Sequence, residues 1–208
     1  MDSLIFDVDG TLWDSTDSVA KSWTAYLKED ERLNMEITKA RLMQLFGQPL
    51  PVIAEQLFPE HSKEEQLRII DGCCQAEHRA LLRKPAPPYP GLEDTLKALS
   101  AAYPLFIVSN CQAGYIEVFL EATGFGKYFK DHLCFGDTGV GKAETIQILS
   151  KRNHLKSPVY VGDTMGDFTS CRQAGVPFVF ASYGFGDVPA PDYRIEKLPD
   201  LIKLFCTK

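Results

Sequence analysis

Residues 4–11 read LIFDVDGT, an apolar run that passes directly into two aspartates, a glycine and a threonine. Five such apolar runs are predicted strands: LIFDV (4–8), PLFIVS (104–109), HLCFG (132–136), PVYVG (158–162) and PFVFA (177–181). The runs are continuous rather than alternating, which is typical of parallel strands buried on both faces. Helical periodicity lies between the later runs, over 112–123, 142–153 and 164–174. The sequence therefore predicts an α/β fold with a doubly wound parallel sheet.

The segment between the first two predicted strands breaks this βα pattern. It contains no convincing strand, and its periodicity instead predicts helices over 16–29, 38–45, 52–58 and 63–82. The stretch RKPAPPYPG (83–91) follows, and its four prolines predict a stiff connector. We therefore expect a catalytic core of residues 1–14 and 85–208, with an all-helical cap subdomain, residues 15–84, inserted after the first strand.

Composition and charge exclude several classes of protein. The net charge is −6 and no run is rich in lysine and arginine, which argues against a nucleic-acid partner. No apolar run approaches the ~20 residues that span a membrane, and the N-terminus MDSLIFDVDG does not resemble a signal peptide. Six cysteines are scattered without a C-x-x-C pair, as reduced thiols would be. We expect a cytoplasmic protein, a monomer or a homodimer, that binds neither nucleic acid nor membrane.

Polar motifs follow the apolar runs at the points where the strands end. They are DVDGT (7–11), SN (109–110), the loop that carries Lys142, and GDTMGD (162–167). Ligands of open parallel sheets bind in the crevice at the carboxyl ends of the strands. We therefore expect these four motifs, although distant in sequence, to meet in one pocket.

The residue types in these motifs indicate phosphoryl chemistry. Four aspartates would repel one another unless a cation neutralised them: Asp7, Asp9, Asp163 and Asp167. Oxygen ligands without histidine or cysteine suit Mg²⁺. Several donors beside them suit a phosphoryl group: Thr11, Ser109, Asn110 and Lys142. A carboxylate nucleophile beside magnesium and an ammonium favours transfer through an aspartyl-phosphate.

The two aspartates of the first motif can take different roles. Residues two apart in a strand point to the same side, so both carboxyl groups can reach one bound group. Asp7 can attack phosphorus, while Asp9 can protonate the leaving oxygen and later activate water. Gly10 permits a sharp turn directly after them.

Taken together, the four motifs resemble those of the haloacid dehalogenase-like superfamily of phosphohydrolases, in the same order. The predicted helical insert resembles the first type of cap in that superfamily. The extended start FDVDGTLWDS is similar to that of phosphoglycolate phosphatase and related small-molecule phosphatases. The resemblance implies a magnesium-dependent phosphatase whose substrate is a small phosphorylated metabolite.

The resemblance also implies roles for the aspartates. Asp7 would be the nucleophile and a magnesium ligand, and Asp9 the general acid and base, with its backbone carbonyl on the metal. Asp163 would bind magnesium directly, and Asp167 would hold the water shell of the metal or orient Lys142.

The resemblance assigns the phosphoryl oxygens to Ser109 and Lys142, assisted by Thr11 and Asn110. The cap loop FGQPL (46–50) makes Gly47 and Gln48 candidates for reading the substrate, although an ordinary turn between helices is an equal alternative.

Other functions remain open at this stage. A sugar phosphomutase of the same superfamily would need a second phosphate site in the cap. The stretch GDTGVGKAET (136–145) approaches a nucleotide-binding loop, although Ala143 lacks the hydroxyl that holds magnesium. A non-catalytic relative would normally have lost one of the core motifs, and all of them are present.

Overall fold

The computed structural model describes residues 1–206 and contains one six-stranded parallel sheet within them. The strand order across the sheet is β3-β2-β1-β4-β5-β6. The strands are β1 (Ser3–Phe6), β2 (Leu105–Ser109), β3 (Phe129–Cys134), β4 (Pro158–Gly162), β5 (Phe178–Ala181) and β6 (Tyr193–Ile195). The predicted parallel sheet is confirmed, and the central strands β1, β2 and β4 are buried along their whole length.

Four of the five helices between β1 and β2 lie in the inserted segment: α1 (Thr16–Leu27), α2 (Lys39–Leu45), α3 (Leu50–Leu57) and α4 (Lys63–Arg83). The other helices connect or follow the remaining strands: α5 (Leu92–Ser100), α6 (Tyr115–Thr123), α7 (Phe135–Thr138), α8 (Lys142–Arg152), α9 (Met165–Ala174) and α10 (Asp200–Phe205). A short 3₁₀ helix spans Phe125–Tyr128. No helix among residues 1–206 is long and apolar enough to cross a membrane.

Helices cover both faces of the sheet, as a doubly wound fold requires. Alternate residues of a strand point to opposite faces. Ile5 and Tyr160 pack against α8 and α9, whereas Leu4 and Val161 join the larger cluster on the other face. The continuous apolar runs of the sequence therefore supply two hydrophobic clusters rather than one.

The structure corrects several predicted boundaries and adds elements that the sequence did not indicate. β1 ends at Phe6 rather than at 8, because the Val8 carbonyl accepts backbone hydrogen bonds from Leu12 and Trp13 and so closes a turn. Residues 135–136 belong to α7 rather than to a strand. β6 was not predicted, because two of its three residues are exposed and it lacks an apolar run.

The inserted segment packs around α4, the longest of its helices. The buried stripe of α4 follows the helical period and faces α1 and α3: Gln66, Ile69, Ile70, Cys73, Cys74, Glu77 and Leu81. The helix begins with a capping box, in which the Ser62 hydroxyl accepts from the Glu65 amide and the Glu65 carboxylate accepts from the Ser62 amide. This cap satisfies amide groups that the first turn leaves without helical partners.

We predict that Ser62→Ala lowers the free energy of unfolding by about 1 kcal/mol, because the first turn of α4 loses its side-chain acceptor. Urea denaturation followed by circular dichroism measures the difference. Ser62→Thr, which keeps the hydroxyl, should stay within about 0.5 kcal/mol of the wild type. Equal stability of the alanine variant and the wild type would contradict this account of the helix start.

Candidate active site

The motifs that follow β1 and β4 meet the first residue of α8. Lys142 Nζ lies 3.0 Å from Asp7 Oδ1 and also donates a short hydrogen bond to Asp167 Oδ1. One carboxyl oxygen from each of Asp7, Asp163 and Asp167 lies within 4.8 Å of the others. All four side chains are buried. The expected convergence of distant motifs therefore takes place at this edge of the sheet.

The turn after β1 allows these groups to approach closely. Gly10 has a φ of +79°, a backbone conformation that residues other than glycine rarely adopt. A Cβ atom at this position would overlap the Asp163 carboxylate. Glycine is thus required both by the backbone conformation and by the space that Asp163 occupies.

The start of α9 fixes Asp163 and Asp167. The Asp167 carboxylate accepts from the amide and the hydroxyl of Thr164, at 3.0 and 2.7 Å, which leaves its other oxygen facing Lys142. The Asp163 carboxylate accepts from the Phe185 amide at 2.7 Å and from the Thr11 hydroxyl at 3.2 Å. Both carboxylates are therefore held by backbone or hydroxyl donors before any ligand binds.

Burial governs the electrostatics of these groups. Burial raises the pKa of Asp7 to about 6, although the Lys142 ammonium acts in the opposite direction. Burial and the neighbouring Asp167 and Asp7 raise the pKa of Asp163 well above its usual value. Burial disfavours the charged form of Lys142, but Asp167 and Asp7 outweigh it and raise its pKa. The carboxylates thus stabilise the ammonium but carry unneutralised charge themselves.

The three carboxylates fit a divalent metal ion. If ionised, they carry three negative charges against the single positive charge of Lys142, so two negative charges remain. Within residues 1–206, Asp7 Oδ1 is buried and, apart from its ion pair with Lys142, has no hydrogen-bond partner. A divalent cation would supply both the missing charge and a partner for this oxygen.

Asp9 lies beside this group, but its side chain is held elsewhere. Asp9 Oδ1 accepts from the Ser15 hydroxyl at 2.6 Å and from the Tyr115 hydroxyl at 2.7 Å. Burial raises the pKa of Asp9 to about 7, although both hydrogen bonds act to lower it. A carboxyl group with such a pKa can release and accept a proton near neutral pH.

The predicted phosphoryl donors occupy different places. Ser109 is buried at the end of β2 and lines a cavity together with Asn110. The Asn110 amide donates to the Gly47 carbonyl at 2.7 Å, and its Oδ1 atom is buried without a partner among residues 1–206. The Thr11 hydroxyl is committed to Asp163. Ser109 and Asn110 thus face the cavity, whereas Thr11 supports Asp163.

A cavity of about 40 Å³ separates these groups from the inserted helices. Asp7 and Asp9 line one side, and Gly47 and Gln48 line another. The Gln48 amide is engaged within the insert, where it donates to the Gln44 carbonyl and accepts from the Gln56 amide. The cavity therefore has walls from the sheet and from the inserted segment.

A model of the haloacid dehalogenase-like hydrolases matches residues 4–181. The chain belongs to this family. It is 29% identical over 207 residues to a phosphoglycolate phosphatase from Agrobacterium fabrum, covering 95% of this chain and 86% of that protein. It is 27% identical over 217 residues to a phosphoglycolate phosphatase from Aquifex aeolicus, covering 97% and 95%.

A solved structure of a haloacid dehalogenase-like family hydrolase from Streptococcus pneumoniae has the same fold. Its TM-score is 0.80 at 21% identity, and the match covers 99% of this chain and 98% of that one. The resemblance stated from the sequence motifs and the predicted fold class are therefore both confirmed.

Several cavity-lining residues of this hydrolase were not identified from its sequence, among them Trp23, Glu77, Gln112 and Tyr115. Glu77 carried the one usable signal, because it falls on the buried stripe of α4 between Cys73 and Leu81. An acidic residue at such a position indicates either a structural hydrogen bond or a ligand site. Tyr115 starts an ordinary amphipathic helix and gave no signal.

We predict that Gly10→Ala destabilises the hydrolase more than Gly124→Ala does. Gly124 has a φ of +71° but open space around it, so its substitution measures the backbone cost alone, about 1–2 kcal/mol. Alanine at position 10 adds the overlap with Asp163. Urea denaturation of both variants gives the comparison. Equal losses would contradict the close approach of Gly10 to Asp163.

Proposed function

We propose that this hydrolase is a magnesium-dependent phosphatase that cleaves a small-molecule phosphate monoester through an aspartyl-phosphate intermediate. The observation that carries the proposal is the buried group in which Lys142 contacts Asp7 and Asp167, with Asp163 beside them, at the edge of a cavity. The names of the Agrobacterium and Aquifex relatives support a phosphorylated substrate.

Magnesium is the proposed ion because the available ligands are carboxylate oxygens. Asp7, Asp163 and Asp167 would hold the ion directly or through water, together with the backbone carbonyl of Asp9. Oxygen-only sites without histidine or cysteine favour Mg²⁺ over softer metals. When bound, the ion supplies positive charge for the phosphoryl oxygens.

The first half of the proposed reaction transfers the phosphoryl group to Asp7. A carboxylate oxygen of Asp7 forms a bond to phosphorus while the bond from phosphorus to the leaving alcohol oxygen breaks. Asp9, protonated and held by Ser15 and Tyr115, gives its proton to that oxygen. The alcohol leaves neutral, and Asp9 becomes a carboxylate.

The second half releases phosphate and restores the site. The Asp9 carboxylate takes a proton from water as the water oxygen bonds to phosphorus, and the bond to Asp7 breaks. Lys142, Ser109 and Asn110 are the proposed donors to the phosphoryl oxygens. Thr11 assists indirectly, because its hydroxyl fixes Asp163.

We further propose that residues 15–84 act as a cap that encloses the substrate. Gly47 and Gln48 from this segment line the same cavity as Asp7, and the Gly47 carbonyl accepts the Asn110 amide of the core. We assign the protein to the cytoplasm because all six cysteines are unpaired, as thiols are in a reducing compartment.

The structure favours the phosphatase over the two alternative activities. A phosphomutase needs a second, basic phosphate site, and the described residues that line the cavity include no lysine or arginine. A nucleotide-binding loop would present Lys142 to a triphosphate, but its ammonium is buried between Asp7 and Asp167.

We predict that Asp7→Asn lowers kcat for phosphate release by more than about 10³-fold, because an amide oxygen is too weak a nucleophile. Release of inorganic phosphate from an aryl phosphate in the presence of Mg²⁺ measures the rate. The matched control is Asp94→Asn, an exposed position on α5, which should retain full activity. Substantial turnover by Asp7→Asn would reject the covalent mechanism.

We predict that EDTA abolishes phosphate release and that added Mg²⁺ restores it. Because Mg²⁺ should bind the folded protein and not the unfolded chain, it should also raise Tm, by about 5–10 °C when its concentration is 100 times the Kd. The increase should disappear in Asp163→Asn, which removes one charge from the proposed site. Calorimetric scans with and without Mg²⁺ test this independently of activity. Full activity in chelator would contradict the metal assignment.

A further inference from the structure

The cavity has an acidic group on the side that belongs to the inserted helices. Glu77 of α4 is only 3% exposed and lines the same cavity as Asp7 and Asp9. Glu77 Oε2 accepts from Trp23 Nε1 at 2.7 Å, and Oε1 accepts from Gln112 Nε2 at 2.8 Å. One donor comes from the insert and the other from the core, so the carboxyl group is fixed at their junction.

No positive charge compensates Glu77. Among residues 1–206, no lysine, arginine or histidine forms an ion pair with it. The next residue on the helix is His78, whose Nε2 lies 3.0 Å from the Gln112 amide nitrogen. That amide can donate to the imidazole only if this ring nitrogen is unprotonated, and burial lowers the pKa of His78. Both the contact and the burial disfavour a charged imidazole at this place.

Part of the cavity wall is apolar, and the space is small. Phe46, Leu50 and Ile53 line it beside Glu77, and the free volume is about 40 Å³. Such a volume holds on the order of three water-sized atoms or groups. The leaving group of a substrate that fits without further opening is therefore short.

We propose that Glu77 determines substrate choice, and that the substrate is a short-chain phosphate monoester whose leaving alcohol carries a hydroxyl or ammonium group directed at Glu77. This inference rests on the proposed phosphatase function. Short esters that end in a carboxylate or a second phosphate are poor substrates. Glu77 thus acts as a specificity-determining residue and takes no part in bond breaking.

The physical reason is the free-energy cost of a buried carboxylate that has no positively charged partner. A buried charge without a partner is destabilising, and a ligand that donates a hydrogen bond or carries a positive charge recovers part of that cost. An anionic leaving group instead shares a small cavity with the carboxyl groups of Glu77 and Asp9. Such a ligand binds only the protonated form of Glu77, whose pKa burial raises to about 8, so the penalty on its binding grows as the pH rises above about 8.

A series of two-carbon esters tests the inference without any substitution. The four probes are 2-hydroxyethyl phosphate, phosphoethanolamine, ethyl phosphate and phosphoglycolate, which differ only in the terminal group. In assays at about pH 9, where Glu77 is ionised, we expect kcat/KM for the hydroxyl or ammonium ester to exceed that for phosphoglycolate by about tenfold or more. A wild-type enzyme that prefers phosphoglycolate overturns the inference.

The substitution Glu77→Gln then distinguishes substrates that carry a hydroxyl group from those that carry an ammonium group. If Glu77 recognises an ammonium group, the variant should have a kcat/KM for phosphoethanolamine about 10- to 100-fold below that of the wild type. Its kcat/KM for 2-hydroxyethyl phosphate should change little. It should raise kcat/KM for phosphoglycolate. Glu64→Gln, an exposed substitution in the first turn of the same helix, is the control and should change neither.

A uniform change across all four probes would show that Glu77 only supports the structure, and overturns the inference. Hydrolysis of an aryl phosphate without hydrolysis of any two-carbon ester overturns it as well. Absence of phosphate release from every ester, including the aryl phosphate, contradicts the proposed phosphatase function instead. The wild-type comparison decides the question even if the variant does not fold.

Discussion

The ion pairs of Lys142 with Asp7 and Asp167 are the interaction on which the rest of the site depends. A buried ammonium and its carboxylates lose much of their hydration, and their attraction must compensate for that loss. Here, all of the side chains concerned are at most 3% exposed. Removal of Lys142 would leave carboxylates packed within 4.8 Å of one another with no positive charge between them. The lysine is therefore a structural requirement as well as a proposed phosphate ligand.

The parallel sheet explains how so many polar groups come to share one buried place. Asp7 follows β1, Ser109 ends β2, and Asp163 follows β4, and these three strands are adjacent in the sheet. Strands β1 and β4 are in register from Ser3–Pro158 to Phe6–Val161, so the residues after them lie side by side. The close approach of Gly10 to Asp163 is a direct result of that register. The register of β1 and β4 thus brings Asp7, the proposed nucleophile, close to Asp163, a proposed metal ligand.

Local sequence patterns were sufficient to predict which residues of the core lie together, but not which residues line the cavity. A short segment of sequence is enough to show where a strand ends, and parallel pairing places the ends of neighbouring strands at one edge of the sheet. This reasoning predicted that four residues lie together: Asp7, Lys142, Asp163 and Asp167. Glu77 and Tyr115 could not be placed in this way, because their role depends on how α4 and α6 pack, which involves contacts between distant segments. β6 was missed for a related reason: its pairing with β5, not its apolar content, makes it a strand. Thr11 and Asn110 were identified, but their hydrogen bonds to Asp163 and Gly47 could not be foreseen.

Three carboxyl groups that line this cavity have raised pKa values, and the surroundings of Asp9 and Glu77 suit these two to different proposed tasks. Asp9, at about 7, is held by two hydroxyl groups within the core and lies next to the proposed nucleophile. Glu77, at about 8, is held by an indole and an amide on the opposite wall. A general acid must contact the oxygen atom of the bond that breaks. A residue that recognises the leaving alcohol must instead contact the end of the alcohol that lies away from this bond. Under this proposal, the core motifs determine the reaction, and side chains of the inserted helices determine which substrate undergoes it.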